Sequence, residues 1–291
     1  MVKELYVPII KEEAEKLRKS YGYDKNAVIG DYIFTILKNE CVLIQQPDEK
    51  LWDIDGLSTQ KVIQGQLQTV VYINSAKNNE KQIFCAAHEL GHQRSVEELI
   101  REKYPEELLL PTHIESIMNR FAAELLMPED DFRERTLQQI KSYGILGQNG
   151  EYSLTVKKMV KIIIYLMDFY YVPYKAVLYR LEEIKVISRI NCQRLEKYEK
   201  EKKDVVTMMI QESGITRLRT SSKKAQISVP IKNIEGCIKN PQIMRYMGNR
   251  ELKRFLESLG VPKESIEIIQ EMQEMEIETI TIKRMEDPET V

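Results

Sequence analysis

The chain has 291 residues, and its 43 Lys and Arg side chains nearly balance its 45 Asp and Glu side chains. A net charge this close to zero gives no general electrostatic argument for binding nucleic acid or a membrane surface. The four cysteines show no paired spacing, which is typical of a reducing compartment rather than a disulfide framework. The longest apolar run, at 162–167, is far shorter than the roughly 20 residues that span a bilayer, and the amino terminus has no apolar signal-peptide core. We therefore expect a soluble cytoplasmic protein.

Hydrophobic periodicity and turn signals predict the elements in chain order. Helices are expected at about 4–20, 27–37, 79–99, 113–127, 154–170, 173–184, 242–259 and 263–275. Strands are expected at about 41–45, 67–73, 225–229 and 276–283, with a polar, turn-rich stretch between the first two strands that ends at Gly65. Asn79 is a candidate N-cap, and Gln82 three residues later would complete a capping box.

The stretch at 84–92 carries the pattern His-Glu-x-x-His, formed by His88, Glu89 and His92. On a helix, residues four apart lie on the same face, so the two imidazoles can share one zinc ion. The glutamate between them can act as general base toward water. Since the chain has one other histidine, His113, the pattern predicts a zinc-dependent hydrolase, and we interpret it as a metallopeptidase.

A catalytic zinc takes three protein ligands and leaves one position open. Glu115 is the candidate for the third, because an antiparallel crossing of the next helix would bring its carboxylate beneath the two imidazoles. A competing interpretation is a capping box over 112–115, in which Glu115 would only accept a backbone N–H.

Other side chains near the motif are less suitable as zinc ligands. His113 lies at a loop–helix junction, where a surface or capping role is expected, and Glu124 is expected to be an exposed carboxylate. Cys85 lies near the face of His88, where a small buried side chain is the expected role. Gly91 costs about 1 kcal/mol relative to alanine within a helix, so another element is expected to approach closely there.

Two segments, 82–92 and 115–128, resemble the ImmA/IrrE family of zinc metallopeptidases. In that family a glutamate stands four residues before an asparagine or aspartate, which is Asn119 here. Phe-Ala and then Leu-Leu-Met-Pro come after the asparagine or aspartate. The resemblance implies that this glutamate is the third zinc ligand, a role that transfers to Glu115. Cys85 departs from the threonine or serine usual in the family.

The resemblance implies an α+β fold that begins with a zincin-like metallopeptidase domain, placed at 1–150. A helical, helix-turn-helix-like segment with a charged linker is placed at 151–204. The resemblance does not extend beyond about 205, where the mixture of expected strands and helices indicates a separate α+β domain at 205–291, and a regulatory or partner-binding role is assigned to it by elimination. The charged run 194–204 is interpreted as a solvated helix or a linker, and it marks the second boundary. Residues 169–181 resemble the family's helix-turn-helix units, but Pro173 and Tyr174 replace Val-Ser, which favours a helical support over DNA contact.

The implied activity is gluzincin-like peptide hydrolysis, with Zn²⁺ held by His88, His92 and Glu115 and with Glu89 as general base. The implied substrate is a helix-turn-helix repressor, whose cleavage relieves transcriptional repression. An extended substrate could pair with the strand at 67–73, unless that strand lies within the sheet. The alternatives are a non-proteolytic zinc-containing regulator or toxin–antitoxin component, and a DNA-binding regulator; Glu89 favours the enzyme and the near-neutral charge disfavours DNA binding.

Overall fold

The structure is a computed structural model that describes residues 2–49, 55–63, 66–147 and 152–228. The helices of these residues are α1 (Val7–Ser20), α2 (Ile33–Glu40), α3 (Asn79–Gln93), α4 (Val96–Lys103), α5 (Pro111–Leu126), α6 (Glu129–Tyr143), α7 (Val156–Tyr170), α8 (Tyr174–Glu183), α9 (Arg189–Glu201) and α10 (Lys203–Glu212). The strands are β1 (Val42–Gln46), β2 (Gly56–Ile63), β3 (Gln66–Asn74), β4 (Ile145–Leu146), β5 (Tyr152–Ser153) and β6 (Gln226–Ser228). The mixed α+β character confirms the predicted class. The helices and strand expected after 229, and Cys237, lie outside the described residues.

A four-stranded sheet has the order β2-β3-β1-β6. β1 and β3 are parallel, with Ile44 opposite Tyr72, and β1 and β6 are antiparallel, with Ile44 opposite Ile227. β4 and β5 form a separate two-stranded sheet. Since β3 lies between β2 and β1, the strand expected at 67–73 is confirmed but is internal, and an extended substrate cannot pair with it.

The turn-rich stretch expected up to Gly65 is wrong in part, because β2 occupies Gly56–Ile63. This strand mixes residues of low strand propensity with Thr59, Val62 and Ile63, which favour strands, and pairing with β3 supplies hydrogen bonds to its backbone. A Cβ on Gly56 would lie 2.5 Å from Cys85 Sγ and 2.7 Å from the Tyr72 carbonyl oxygen. Gly56 therefore lets β2 approach both α3 and β3.

The long helix expected at 79–99 is divided into α3 and α4. Ser95 adopts a left-handed conformation with φ of 51° and ends the first helix. The capping box expected at Asn79 and Gln82 is wrong, because the N-cap position falls on Asn78, whose side chain makes no capping bond. Gln82 instead donates to the Lys77 carbonyl oxygen at 2.7 Å.

Helices α3 and α5 pack closely against each other. A Cβ on Gly91 of α3 would lie 2.7 Å from Met118 Sδ and 3.1 Å from Phe121 Cδ1 of α5. The close approach predicted at Gly91 is confirmed, and it brings the histidine face of α3 near the start of α5.

The carboxyl end of α5 is held by two buried arginines. Arg18 of α1 donates to the Leu125 carbonyl oxygen at 2.6 Å, and Arg180 of α8 donates to the Met127 carbonyl oxygen at 3.1 Å. The last carbonyl groups of a helix have no partner within the helix, so these contacts satisfy them. Helices on both sides of α5 in the sequence thus fix its position.

Glu124 was expected to be exposed, and that prediction is wrong. Its carboxylate is buried, 2.5 Å from Arg180 Nη2 and 2.7 Å from Arg120 Nη2. Burial raises the pKa of Glu124, but the two guanidinium groups outweigh burial and lower it below its usual value. The carboxylate is therefore an internal ion-pair partner and not a surface group.

One compact unit contains the described residues up to Thr59 and from Thr69 to Ser228. Its hydrophobic core runs from Tyr6 to Leu218, so α7–α10 share the core of the preceding helices. The charged run 194–204 is helical, within α9 and α10. The functional division at 150 and 204 stays a prediction. In the described part of the chain, no helix is long and apolar enough to cross a membrane.

Candidate metal centre

Two helices bring three potential metal ligands together. His88 and His92 lie one turn apart on α3, and their Nε2 atoms are 3.2 Å and 3.6 Å from the carboxylate oxygens of Glu115 on α5. The donor atoms of the three residues all lie within 4.8 Å of one another. Among the described residues, no other group of His, Cys, Asp and Glu side chains brings three donors this close.

The donor set has the chemistry that zinc prefers. Two imidazole nitrogens and one carboxylate oxygen are a frequent ligand set of catalytic zinc, which keeps a further position open. The Glu115 side chain is 60% exposed, whereas His88 and His92 are 13% and 23% exposed. The histidines are therefore held by the core, and the carboxylate side of the group faces solvent, from which a substrate would arrive.

Asn119 orients His88. Its Oδ1 lies 3.1 Å from His88 Nδ1, and because an amide oxygen only accepts hydrogen bonds, Nδ1 carries the proton. The lone pair of His88 then lies on Nε2, the atom that faces Glu115. Burial lowers the pKa of His88, although Glu115 and Asn119 act in the opposite direction, so the neutral, metal-binding form is favoured.

Glu89 lies between the two histidines in sequence but points toward the sheet. It is 5% exposed, and the hydroxyl of Ser58 on β2 is hydrogen-bonded to its carboxylate. Burial raises the pKa of Glu89, and the Ser58 hydrogen bond and the charge of His92 offset this only in part. A carboxylate in this state takes up a proton more readily than an exposed one.

Ser58 and Asn119 had no role assigned from the sequence. Ser58 was missed because its strand was expected to be a turn. Asn119 had a signal, since it follows Glu115 by four residues and therefore shares its helix face.

The capping alternative for Glu115 is wrong. Helix α5 begins at Pro111, a residue suited to the first helical position, so Glu115 lies beyond the first turn. The third helical residue is His113, whose Nδ1 accepts a hydrogen bond from the Leu110 backbone N–H at 3.4 Å. The surface or capping role expected for His113 is confirmed.

Cys85 is a buried thiol outside the donor group. Burial raises its pKa well above the usual value, so it stays protonated. Its Sγ lies against the backbone of Gly56. The small buried role expected for it is confirmed.

Residues 41–182 match the family model Peptidase M78, described as the IrrE N-terminal-like domain. This part of the chain is similar to IrrE N-terminal-like domains. The match includes all three donor residues and Glu89, and it confirms the resemblance to the ImmA/IrrE family, a family of metallopeptidases. No curated protein matches the chain.

Proposed function

We propose that the protein is a zinc-dependent endopeptidase of the gluzincin type. His88, His92 and Glu115 hold Zn²⁺, and Glu89 is the general base. The observation that carries the proposal is the convergence of the three donors from α3 and α5, beside a buried carboxylate with a raised pKa. A zinc ion with a purely structural role needs no such base.

The residues divide the work of peptide hydrolysis. When bound, zinc acts as a Lewis acid toward the scissile carbonyl and toward water. Glu89 takes the proton of the attacking water and passes it to the leaving amine. Ser58 holds the Glu89 carboxylate in place, and Asn119 keeps His88 in the tautomer that leaves Nε2 free.

The proposed substrate is a helix-turn-helix repressor, which the family resemblance supports. A regulatory peptidase of this kind cuts one partner at one site and acts in the cytoplasm. β2 is the terminal strand of the sheet in the described part of the chain, and its Ser58 contacts Glu89. An extended substrate segment that lies along β2 would therefore reach the base.

DNA binding through α8 has less support. A recognition helix needs an exposed face, whereas most of α8 is buried. Its two exposed side chains, Lys175 and Tyr179, both contact Glu196 of α9, an acidic residue. A gel-shift assay at low salt tests this alternative, which predicts retardation that weakens as salt is added.

A Glu89→Gln variant tests the proposal. The variant keeps the three donors, so it should retain zinc, while cleavage of a co-expressed helix-turn-helix repressor should fall about 10²–10⁴-fold. Glu98→Gln, at an exposed position of α4, is the matched control and should cut at the wild-type rate. Cleavage by Glu89→Gln at the wild-type rate would show that the mechanism is wrong.

A further inference from the structure

A segment beyond the matched domain lies across the start of α3. We call residues 217–228 the strap. The Asn79 backbone N–H, in the first turn of α3, donates to the Thr220 carbonyl oxygen at 2.7 Å. The Asn79 side chain accepts the Ser222 backbone N–H at 2.8 Å. The strap therefore satisfies one of the N–H groups that have no partner within the helix at the start of α3, and it is also bound to the side chain of the same residue.

The strap also binds the connection between β3 and α3. The Ser75 carbonyl oxygen accepts the Ser221 hydroxyl at 2.6 Å and the Lys223 backbone N–H at 3.1 Å. The same oxygen accepts the buried Gln82 side chain of α3 at 3.2 Å. Strap and helix thus share one acceptor, so movement of one disturbs the other.

Glu80, also in the first turn of α3, adds a third link. Its carboxylate is buried, and its two oxygens accept the Arg219 backbone N–H at 3.1 Å and 3.2 Å. Burial raises the pKa of Glu80, and the hydrogen bonds that it accepts offset this only in part. A buried carboxylate is costly without hydrogen bonds, so removal of the strap forces this turn to rearrange.

The two ends of the strap are anchored elsewhere in the same unit. The Arg219 guanidinium lies 2.9 Å from Glu199 of α9. At the other end, β6 pairs with β1 over three residues before the chain continues beyond Ser228. Three residues are a short strand, so this end is held by few backbone hydrogen bonds.

We propose that the strap positions the metal helix and makes metal retention depend on the chain beyond the matched domain. It holds the first turn of α3, and His88 and His92 follow on the same helix. Withdrawal of β6 from β1 releases that turn and weakens the binding of the metal by the two histidines. This inference rests on the proposed zinc site.

A Lys223→Pro substitution in the full-length chain is the test. Lys223 has φ of 44° and donates its backbone N–H, whereas proline fixes φ near −65° and has no N–H. Lys185→Pro is the matched control, because Lys185 has φ of 59° and its N–H donates to the Glu182 carbonyl oxygen in the turn after α8. Zinc affinity is measured by competition with a chromophoric chelator, and hydrogen exchange reports on the first turn of α3.

We expect Lys223→Pro to speed exchange at the start of α3 and to raise the zinc dissociation constant about tenfold, as losses of supporting contacts around metal ligands do. Lys185→Pro should stay within about twofold of the wild type. Equal weakening in both proline variants would mean general destabilisation, and unchanged zinc affinity in Lys223→Pro would make the strap merely structural. Either result overturns the inference.

If Lys223→Pro fails to fold, a pair of side-chain truncations that leave the backbone unchanged provides a second test. Asn79→Ala combined with Ser221→Ala removes the side-chain contacts of Asn79 with Ser222 and Thr220 and the contact of the Ser221 hydroxyl with Ser75. Ser213→Ala is its control, because that hydroxyl also donates to a backbone carbonyl, that of Met209 at 2.8 Å, away from the strap. If the double variant changes neither exchange nor zinc affinity, the strap does not hold the helix. A wild-type protein that binds no zinc would instead refute the proposed function.

Discussion

Asn119 decides which nitrogen of His88 is available to a metal. Its side-chain oxygen lies 3.1 Å from Nδ1, so the ring keeps its proton on that atom. Without this acceptor the imidazole is free to rotate and to place the proton on Nε2, the atom that faces Glu115. The contact therefore acts on metal affinity through the tautomer and the orientation of His88.

Asn119→Leu should weaken zinc affinity about 10- to 100-fold, the usual cost of losing the hydrogen-bond partner of a ligating histidine. Asn119→Asp keeps an acceptor oxygen at the same place and should retain zinc at least as well as the wild type. Chelator competition measures both. Equal loss in the two variants would argue against an orienting role.

At the residue scale, the sequence predicted the three candidate donors that the fold brings together, but not the contacts that support them. His88 and His92 follow from a spacing of four on one helix, and the family pattern pointed to Glu115. Ser58 contacts Glu89 because β2 packs against α3, a tertiary contact that the local sequence does not show. Glu124 is buried by Arg180, which is 56 positions away in sequence, so its local pattern could not reveal the ion pair.

Among the elements, helix α5 contributes to the candidate metal site at one end and to an internal ion pair at the other. Its amino-terminal half presents Glu115 to the histidines, and its carboxyl end is tied to α8 through the pair of Arg180 and Glu124. Arg180 is 0% exposed, so its loss leaves a buried carboxylate with reduced compensation. Breaking a buried pair from one side is strongly destabilising.

Arg180→Met should therefore lower the free energy of unfolding by about 3–5 kcal/mol, measured by chemical denaturation. The double variant Arg180→Met with Glu124→Met should recover part of this loss, because no charge is then left without its partner. Lys197→Met is the control, since it removes only a surface pair with Glu201 and should cost about 0–1 kcal/mol. A cost of Arg180→Met as small as that of the control would contradict the proposed role of the pair.

Helices α1 and α6 are joined by Lys11 and Glu129, and this contact predicts a pH dependence. Burial raises the pKa of Glu129, but the hydrogen bonds from Lys11 and Arg133 outweigh it and lower the pKa from 4.5 to about 2. Because the folded pKa is depressed, the contact stabilises the fold fully above about pH 4.5, and this stabilisation is lost as pH falls toward 2.

Glu129→Gln should thus lower the melting temperature at pH 7, and the difference from the wild type should vanish as pH falls from about 4.5 toward 2. Glu134→Gln on the same helix, which alters only an exposed hydrogen bond with Gln138, is the control. A difference that is constant across this pH range would mean that the ionised carboxylate is not the source.

Elements whose apolar residues repeat at a regular helical period were predicted well. Elements whose conformation depends on tertiary contacts were not. The apolar positions of α5 and α7 repeat at helical spacing, and both helices were expected within two residues at most of their ends. The interruption between α3 and α4 depends on one residue in the left-handed conformation, Ser95, which no sequence pattern predicted. β2 mixes polar residues with Val62 and Ile63 and shows no clear alternation, so its pairing with β3 decides its conformation.

On the scale of the whole molecule, the helices that carry the candidate metal site share one hydrophobic core with the other described helices. That core includes Tyr6 before the matched domain and Leu218 after it. The charged run at 194–204 suggested a boundary, yet α9 buries Cys192 and Leu195 on one face and keeps its charges on the other. The charged composition is therefore that of an amphipathic helix, one of the two interpretations that the sequence allowed, and the domain boundary stays a prediction.

The zinc content of the full-length protein tests the central claim most directly. Elemental analysis after dialysis should find zinc at one equivalent per chain in the wild type and in Glu106→Ala, a control at an exposed glutamate. Glu115→Ala should lose most of the metal under the same dialysis, because two imidazoles alone hold zinc weakly. Equal zinc content in the wild type and Glu115→Ala, or no zinc in either, would contradict the account.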